Sequence, residues 1–208
     1  MPQRDPRSLK LVGGTLCLDF INTVDCRNSD KQSEVITTYP RLITWSQHAN
    51  ILTETEARSL LREATLHPTE ARAVLERVIT TRETLYRIFS AIAQHRPPTT
   101  TDTETLNNEM STAMAQMLLK PANPPEPWTY TFEKSRLDQM LWPIVRSAAE
   151  LLTSDRLDRI RECQGEKCGW LFVDMSRNRS RKWCDMKDCG NLVKAKRHYQ
   201  KTCPKRSS

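Results

Sequence analysis

Four cysteines near the C-terminus constrain this chain more than any other feature of its sequence. They form the pattern Cys163-x4-Cys168, fifteen residues, then Cys184-x4-Cys189. Each pair can close a short knuckle around one ion, and two knuckles complete a tetrahedral site of four thiolates. Soft thiolates that leave no position for water favour one structural zinc ion. An iron–sulfur cluster and four free thiols are the alternative interpretations.

The residues around these cysteines predict a treble-clef-like zinc finger, a β-hairpin plus a helix. Residues 170–173 are typical of a strand, 174–178 of a turn and 181–184 of a returning strand. Asn191 is placed to cap the helix that follows. A module of about 45 residues has too small a core to fold alone, so zinc binding should supply much of its folding free energy. Trp170 and Trp183 are expected to pack around the knuckles.

The positive charge of the chain is concentrated in the same region. Residues 156–208 contain 15 lysines and arginines against 6 acidic residues, whereas residues 1–155 contain 17 basic and 19 acidic ones. This asymmetry favours a polyanionic partner, duplex DNA above all, and a solvated basic tail is the alternative. Arginines at alternate positions of an extended hairpin project on the same side of it. Lysines or arginines at positions i, i+3 and i+7 of a helix lie on one helix face. The predicted DNA contacts are Arg177, Arg179, Arg181, Lys182, Lys194, Arg197 and Lys201.

Helices dominate the rest of the chain, which we predict to be a mainly α domain with a short β element. Residues 11–27 are the exception, because the Gly-Gly turn and the short apolar run favour a strand or extended segment there. Charge density rises near residues 154–158, so the predicted domains are 1–154 and 155–208. Helices are expected over about 40–49, 53–64, 68–94, 102–118 and 137–153, and a short strand over 128–132.

Several classes of function are disfavoured by what the sequence lacks. It contains no Ser-His-Asp order, Walker loop, Gly-rich dinucleotide motif or HExxH, and its four histidines are scattered, so we expect no enzyme. No apolar run approaches the roughly 18 residues that a membrane span needs, and the first residues lead into no secretory segment. We therefore expect a cytoplasmic protein without a membrane partner.

The C-terminal segment resembles the CGNR zinc-finger family of bacterial transcription regulators. The resemblance rests on Cys163, Cys168, the FVDMSRN stretch, RKWC at 181–184, and CGN at 189–191 followed by Lys194. Leu192 stands at the position of the arginine that gives the family its name. Zinc binding does not depend on that position, but any phosphate or base contact made by the family's arginine would be lost.

The N-terminal region is similar to the ABATE domain that is usually joined to this finger. The similarity rests on GGTLCLDFINT at 13–23 and on Trp45. It implies a stress-responsive regulator whose N-terminal domain senses a small-molecule effector. By analogy with regulators that bind two DNA half-sites, we also expect a homodimer. For Asp19 and Asn22 we favour a structural role, in which they hydrogen-bond to backbone at a strand end, over a ligand-binding one. The candidate ligand-binding residues are Asp19, Asn22, Thr23 and Trp45.

A zinc-containing adaptor that binds protein or structured RNA is the alternative function. Positive charge does not distinguish RNA from DNA. However, few aromatic side chains are free to stack on unpaired bases, which disfavours single-stranded RNA. Duplex DNA is therefore the main expectation, with the adaptor as the second.

Overall fold

The structure, a computed structural model, describes residues 4–122, 127–132 and 136–202. Its strands form three two-stranded antiparallel ribbons: β1 (Val24–Asp25) with β2 (Ser33–Glu34), β3 (Met117–Pro121) with β4 (Trp128–Phe132), and β5 (Ile160–Glu162) with β6 (Leu171–Val173). The helices are α1 (Leu16–Ile21), α2 (Tyr39–His48), α3 (Glu54–Leu66), α4 (Pro68–Ala93), α5 (Thr100–Met114), α6 (Leu141–Leu152) and α7 (Asn191–Thr202). The predicted fold class, a mainly helical N-terminal region followed by a zinc finger, is confirmed.

The starts of α2, α3 and α4 follow from local sequence. Pro40 lies in the first turn of α2 and Pro68 opens α4, where a missing backbone N–H costs nothing. The predicted capping box at α3 is present. The Glu56 amide donates to the Thr53 hydroxyl at 3.3 Å, and the Thr53 amide donates to the Glu56 carboxylate at 2.8 Å. Side chains close in sequence therefore fix these boundaries.

The strand predicted within residues 11–27 is wrong over 16–21, where the chain forms α1. Cys17, Leu18, Phe20 and Ile21 are all buried, so the apolar pattern has neither the alternation of a half-buried strand nor a polar helix face. A short apolar run of this kind does not distinguish a buried helix from a buried strand. Tertiary packing decides the matter, because α1 lies against α4, α6 and β6.

Two further boundaries differ from expectation. Helix α5 ends at Met114 rather than near residue 118, and β3 follows it. The predicted strand at 128–132 is confirmed as β4. Its partner β3 was not predicted, because β3 pairs with β4 across residues 122–127 and its first residues had been assigned to the end of the preceding helix. Helix α6 begins at Leu141 instead of 137, because residues 137–140 form a turn.

The C-terminal finger shares one hydrophobic core with the helical region. Leu171, Phe172 and Val173 of β6 are buried in the same cluster as the residues of α1. Around this core, Phe20 packs on Trp45, with ring centroids 5.4 Å apart. The finger is thus a packed part of the molecule, and its position is set by the helices beneath it.

Hydrogen bonds to backbone carbonyls reinforce this contact. The Trp170 indole N–H donates to the Val24 carbonyl at 2.9 Å, and the Arg27 amide donates to the Cys168 carbonyl at 3.0 Å. The residues after α1 therefore lie directly against the first knuckle of the finger.

Candidate metal centre and nucleic-acid interface

The four predicted zinc ligands converge at one point. The Sγ atoms of Cys163, Cys168, Cys184 and Cys189 all lie within 4.8 Å of one another, with Cys168 and Cys184 at 3.6 Å and Cys184 and Cys189 at 3.7 Å. In a tetrahedral site with zinc–sulfur bonds of about 2.3 Å, neighbouring sulfurs lie about 3.8 Å apart. The donor set and its spacing fit one structural zinc ion, which confirms the predicted cofactor.

Local backbone supports the thiolate form that zinc requires. The amides of Gly165 and Cys184 donate to the Cys163 Sγ at 3.4 and 3.3 Å. Hydrogen bonds from the Cys168 and Cys184 thiols, together with these amides, lower the pKa of the Cys163 thiol, and the same contacts with Cys163 raise the pKa of the Cys168 and Cys184 thiols. A side chain at Gly165 would press on Cys189 Sγ, at 3.1 Å from an added Cβ. The knuckle therefore needs glycine for close approach as well as cysteine for the metal.

The returning strand predicted over 181–184 is wrong. Strand β6 pairs instead with β5, with Ile160 opposite Val173. The Asp174 carboxylate accepts from the amides of Ser176 and Arg181 at 2.8 and 2.9 Å, which closes residues 174–181 into a loop. Arg177, Arg179 and Arg181 therefore do not alternate along an extended hairpin.

Arg181 stabilises the fold of the finger rather than projecting into solvent. Its guanidinium donates to the carbonyls of Val12 and Trp183, each at 3.1 Å, and to that of Cys184. It also lies 4.1 Å from the Phe172 ring centroid. With its donors directed to backbone carbonyls, Arg181 is not available to a phosphate, and we leave it out of the proposed DNA face.

The other predicted DNA contacts differ in their surroundings. Arg177, Lys182 and Lys194 are exposed. Arg179 is exposed too, adopts a left-handed backbone (φ 51°) and pairs with Asp158. The side chains of Arg197 and Lys201 lie outside the described part of the structure.

Helix α7 lies largely outside the core. Within it, every residue whose side chain is described is exposed except Val193, which is half-buried. The helix packs mainly on the 186–190 turn that precedes it, and Lys196 forms an ion pair with Glu166 of the first knuckle. The predicted capping role of Asn191 is wrong, because Asn191 is itself helical (φ −68°, ψ −39°) and continues that turn.

Asn22 and Thr23, two of the candidate ligand-binding residues, use their polar groups within the protein. The Asn22 side chain donates to the Leu171 carbonyl and accepts from the Leu171 amide, both at 2.9 Å. The Thr23 hydroxyl donates to the Phe20 carbonyl at 2.8 Å and accepts from Arg82 at 3.1 Å. These contacts support a structural role, the alternative considered for Asn22 from the sequence.

Asp19 and Trp45 are in a similar position. The Gly13 amide donates to the Asp19 carboxylate at 2.7 Å, and burial raises the pKa of that carboxyl to about 6. An added Cβ at Gly13 would lie 2.8 Å from Leu18 Cβ, so this turn requires glycine. Trp45 is fully buried in the core. The GGTLCLDFINT segment thus acts mainly as a packing element.

A cavity of about 550 Å³ lies between the N-terminal region and the finger. Sequence reasoning missed it because its walls come from segments far apart in the chain. Leu192, at the position of the family arginine, is one of its lining residues. The apolar residue at this position was the one sequence feature that could have indicated the cavity. The cavity borders the metal centre, because the zinc ligands Cys168, Cys184 and Cys189 also line it. Its other lining residues include Asp25, Cys26, Trp170, Val193 and Lys196.

The fold and the metal centre define a helical domain joined to a four-cysteine zinc finger. Residues 14–155 match the family model ABATE, described as "Putative stress-induced transcription regulator", and residues 159–202 match the CGNR zinc finger. The chain belongs to the ABATE family and carries a C-terminal CGNR finger, as the resemblance implied. A search of curated proteins gave no match. No helix in the described ranges is long and apolar enough to cross a bilayer.

Proposed function

We propose that this protein is a transcription regulator whose zinc finger binds duplex DNA, with α7 as the contacting helix. One observation carries the proposal: α7 contains four lysines and arginines but no acidic residue, and each of its described side chains except Val193 is exposed. An isolated helix of about 12 residues is marginal in water. Insertion into the major groove, which is wide enough for an α-helix, would give α7 a packing partner and bring its charges to the phosphates.

The proposed face combines the helix with the loop before it. Lys194, Arg197 and Lys201 follow one another at i, i+3 and i+7, and Arg177 and Lys182 are exposed on the loop side. The Arg179–Asp158 pair is exposed on both partners. Surface pairs of this kind contribute about 0–1 kcal/mol, so Arg179 can exchange Asp158 for a phosphate.

Replacing Lys182 and Lys194 together by alanine should weaken binding to duplexes of unrelated sequence alike, by about 3- to 10-fold at moderate salt. The slope of log affinity against log salt should fall by about 1 for each lost phosphate contact. Fluorescence anisotropy between about 50 and 200 mM salt measures both quantities. Lys31→Ala is the matched control, because Lys31 is exposed but lies outside the finger. Equal slopes for all three proteins would place the DNA face elsewhere.

The family description points to regulation under stress, and we place the effector site in the 550 Å³ cavity. This volume lies within the roughly 300–1,000 Å³ of small-molecule sites. A ligand there would touch both the N-terminal region and Val193 of α7. Its lining combines apolar side chains such as Trp170 and Val193 with charged ones such as Lys196, which suits a molecule with an apolar body and a polar group. The proposal includes no catalytic activity, and the DNA target implies a cytoplasmic protein.

Val193→Trp should test this site, because the larger indole would fill the cavity. Small molecules found by thermal shift should raise the melting temperature of the wild-type protein and leave that of Val193→Trp unchanged, since stabilisation requires binding to the native state. Molecules that stabilise both proteins equally would locate the effector site elsewhere.

A further inference from the structure

The β3–β4 ribbon exposes an unusual amount of apolar surface. Leu119 is 63% exposed and Trp128 59%, and Leu118 and Tyr130 are also exposed. Large apolar side chains concentrated in this way mark interaction sites more often than single exposed ones do.

The strand register collects most of these side chains on one face. Met117 lies opposite Phe132, Leu119 opposite Tyr130, and Pro121 opposite Trp128. Directly opposed residues share a face, and alternate positions along a strand return to it. We call the resulting surface the ribbon face; its members are Met117, Leu119, Pro121, Trp128, Tyr130 and Phe132.

Among the residues that the structure describes, contacts to the ribbon face reach its base and Tyr130, whose ring centroid lies 4.6 Å from the Arg146 guanidinium. Phe132 packs on Trp142 with ring centroids 5.8 Å apart, and Met117 and Phe132 are half-buried. Leu119 and Trp128, farther out, remain exposed. A two-stranded ribbon is at best marginally stable without cover, so its outer half needs a partner.

A groove of about 240 Å³ opens beside the base of the ribbon, between it and helices α5 and α6. Its walls are mainly apolar and include Met110, Met114 and Val145. Two charged residues at the groove, Arg146 and Glu150, pair with each other at 2.7 Å. The surface is therefore close to neutral, and it combines a projecting indole with a groove that can receive one.

We propose that two copies of this chain form a homodimer through their ribbon faces. Strand β4 has five residues centred on Tyr130. A two-fold axis through the Leu119–Tyr130 pair would place Trp128 of each copy over the Phe132 end of the other, beside its groove. An isologous interface needs one patch that is complementary to itself, and this patch supplies both projection and groove.

Each copy offers exposed apolar side chains on the ribbon face, with Leu119 63% and Trp128 59% exposed, and the groove walls extend this surface. A standard interface buries roughly 800 Å² on each partner. The dimer would also present two α7 helices, as recognition of two half-sites requires. Only this last point rests on the proposed DNA-binding function.

Sedimentation equilibrium of the zinc-loaded full chain without DNA tests the dimer. We expect twice the chain mass of 24.1 kDa. Leu119→Asp should raise the dissociation constant by about 100-fold or more, because it places an unpaired carboxylate at the centre of the interface. Leu66→Asp is the matched control, since Leu66 is 64% exposed but lies on α3, and it should leave the dimer intact.

Trp128→Ala gives an independent test at the edge of the ribbon face. It should weaken the dimer by about 30-fold, because it removes the large aromatic side chain that would lie beside the groove of the other copy. Both positions are exposed in the single chain, so the circular dichroism spectra should match the wild type. A wild-type chain that stays monomeric at about 100 μM, or equal dissociation constants for Leu119→Asp and Leu66→Asp, would overturn the proposal. Because no DNA is present, failure of DNA binding would not affect this outcome.

Discussion

We expect removal of zinc to unfold the finger and to lower the stability of the helical region packed on it. Four like thiolates within 4.8 Å repel one another unless a cation or protons neutralise them. Structural zinc contributes about 10–16 kcal/mol in finger peptides, which is comparable with the whole stability of a typical domain, about 5–15 kcal/mol. Since β6 lies in the common core, the loss should extend beyond the finger.

Cys184→Ser should reproduce this loss. We expect the zinc content to fall from one ion per chain to near zero, the near-ultraviolet signal of the finger to disappear, and the melting temperature to drop by more than about 10 °C. Cys26→Ser is the matched control, because Cys26 lies outside the four-thiol cluster, and it should keep its zinc. A Cys184→Ser protein with full zinc content and an unchanged melting temperature would refute the assignment.

Asn22→Ala should destabilise the chain by about 2–6 kcal/mol. The Asn22 amide satisfies both the N–H and the C=O of Leu171 in a buried setting. Alanine would leave both groups unpaired, at a cost of about 1–3 kcal/mol each. Urea denaturation followed by far-ultraviolet circular dichroism measures this change in the free energy of unfolding.

Asn28→Ala is the control for Asn22→Ala, since Asn28 also bonds to the finger but in an exposed position. Its amide donates to the Glu162 carboxylate at 3.0 Å. We expect its loss to cost less than about 1 kcal/mol. If the two alanine variants lose the same free energy, the buried Asn22–Leu171 contact does not hold the finger in place.

Features encoded by residues close in sequence were predictable. The spacing of Cys163, Cys168, Cys184 and Cys189 predicts a tetrahedral zinc site. Each pair forms a short knuckle, and each cysteine supplies one thiolate ligand. The capping box of Thr53 and Glu56 likewise depends only on neighbours along the chain. Such signals need no knowledge of the tertiary fold.

Features that depend on distant contacts were not predictable. Strand β6 pairs with β5 rather than with residues 181–184, because the Asp174 carboxylate and Arg181 turn the chain into a loop. The position of Arg181 in a basic stretch predicts a phosphate contact. Only the structure shows that its guanidinium donates to backbone carbonyls instead. Helix α1 was misassigned for a related reason, since its burial on every side comes from packing against other elements.

The GGTLCLDFINT segment, on which the resemblance to ABATE rests, contacts the finger directly. Gly13 accepts a hydrogen bond at its carbonyl from the Val173 amide, and Asn22 binds Leu171. The motif therefore joins the helical region to β6 of the finger. In the proposed function, a ligand in the cavity would contact Asp25 and Cys26, just after this segment, together with the finger.

The most direct test of the account is fluorescence anisotropy of the purified chain on random-sequence duplex DNA, across salt concentrations, with and without zinc. We predict binding that weakens steeply with salt and is lost when zinc is removed or Cys184 is replaced by serine. Binding that persists unchanged without zinc would show that the finger is not the DNA-binding element. No binding by the zinc-loaded chain at low salt would contradict the DNA-binding function itself and favour an acidic protein or structured RNA as the partner.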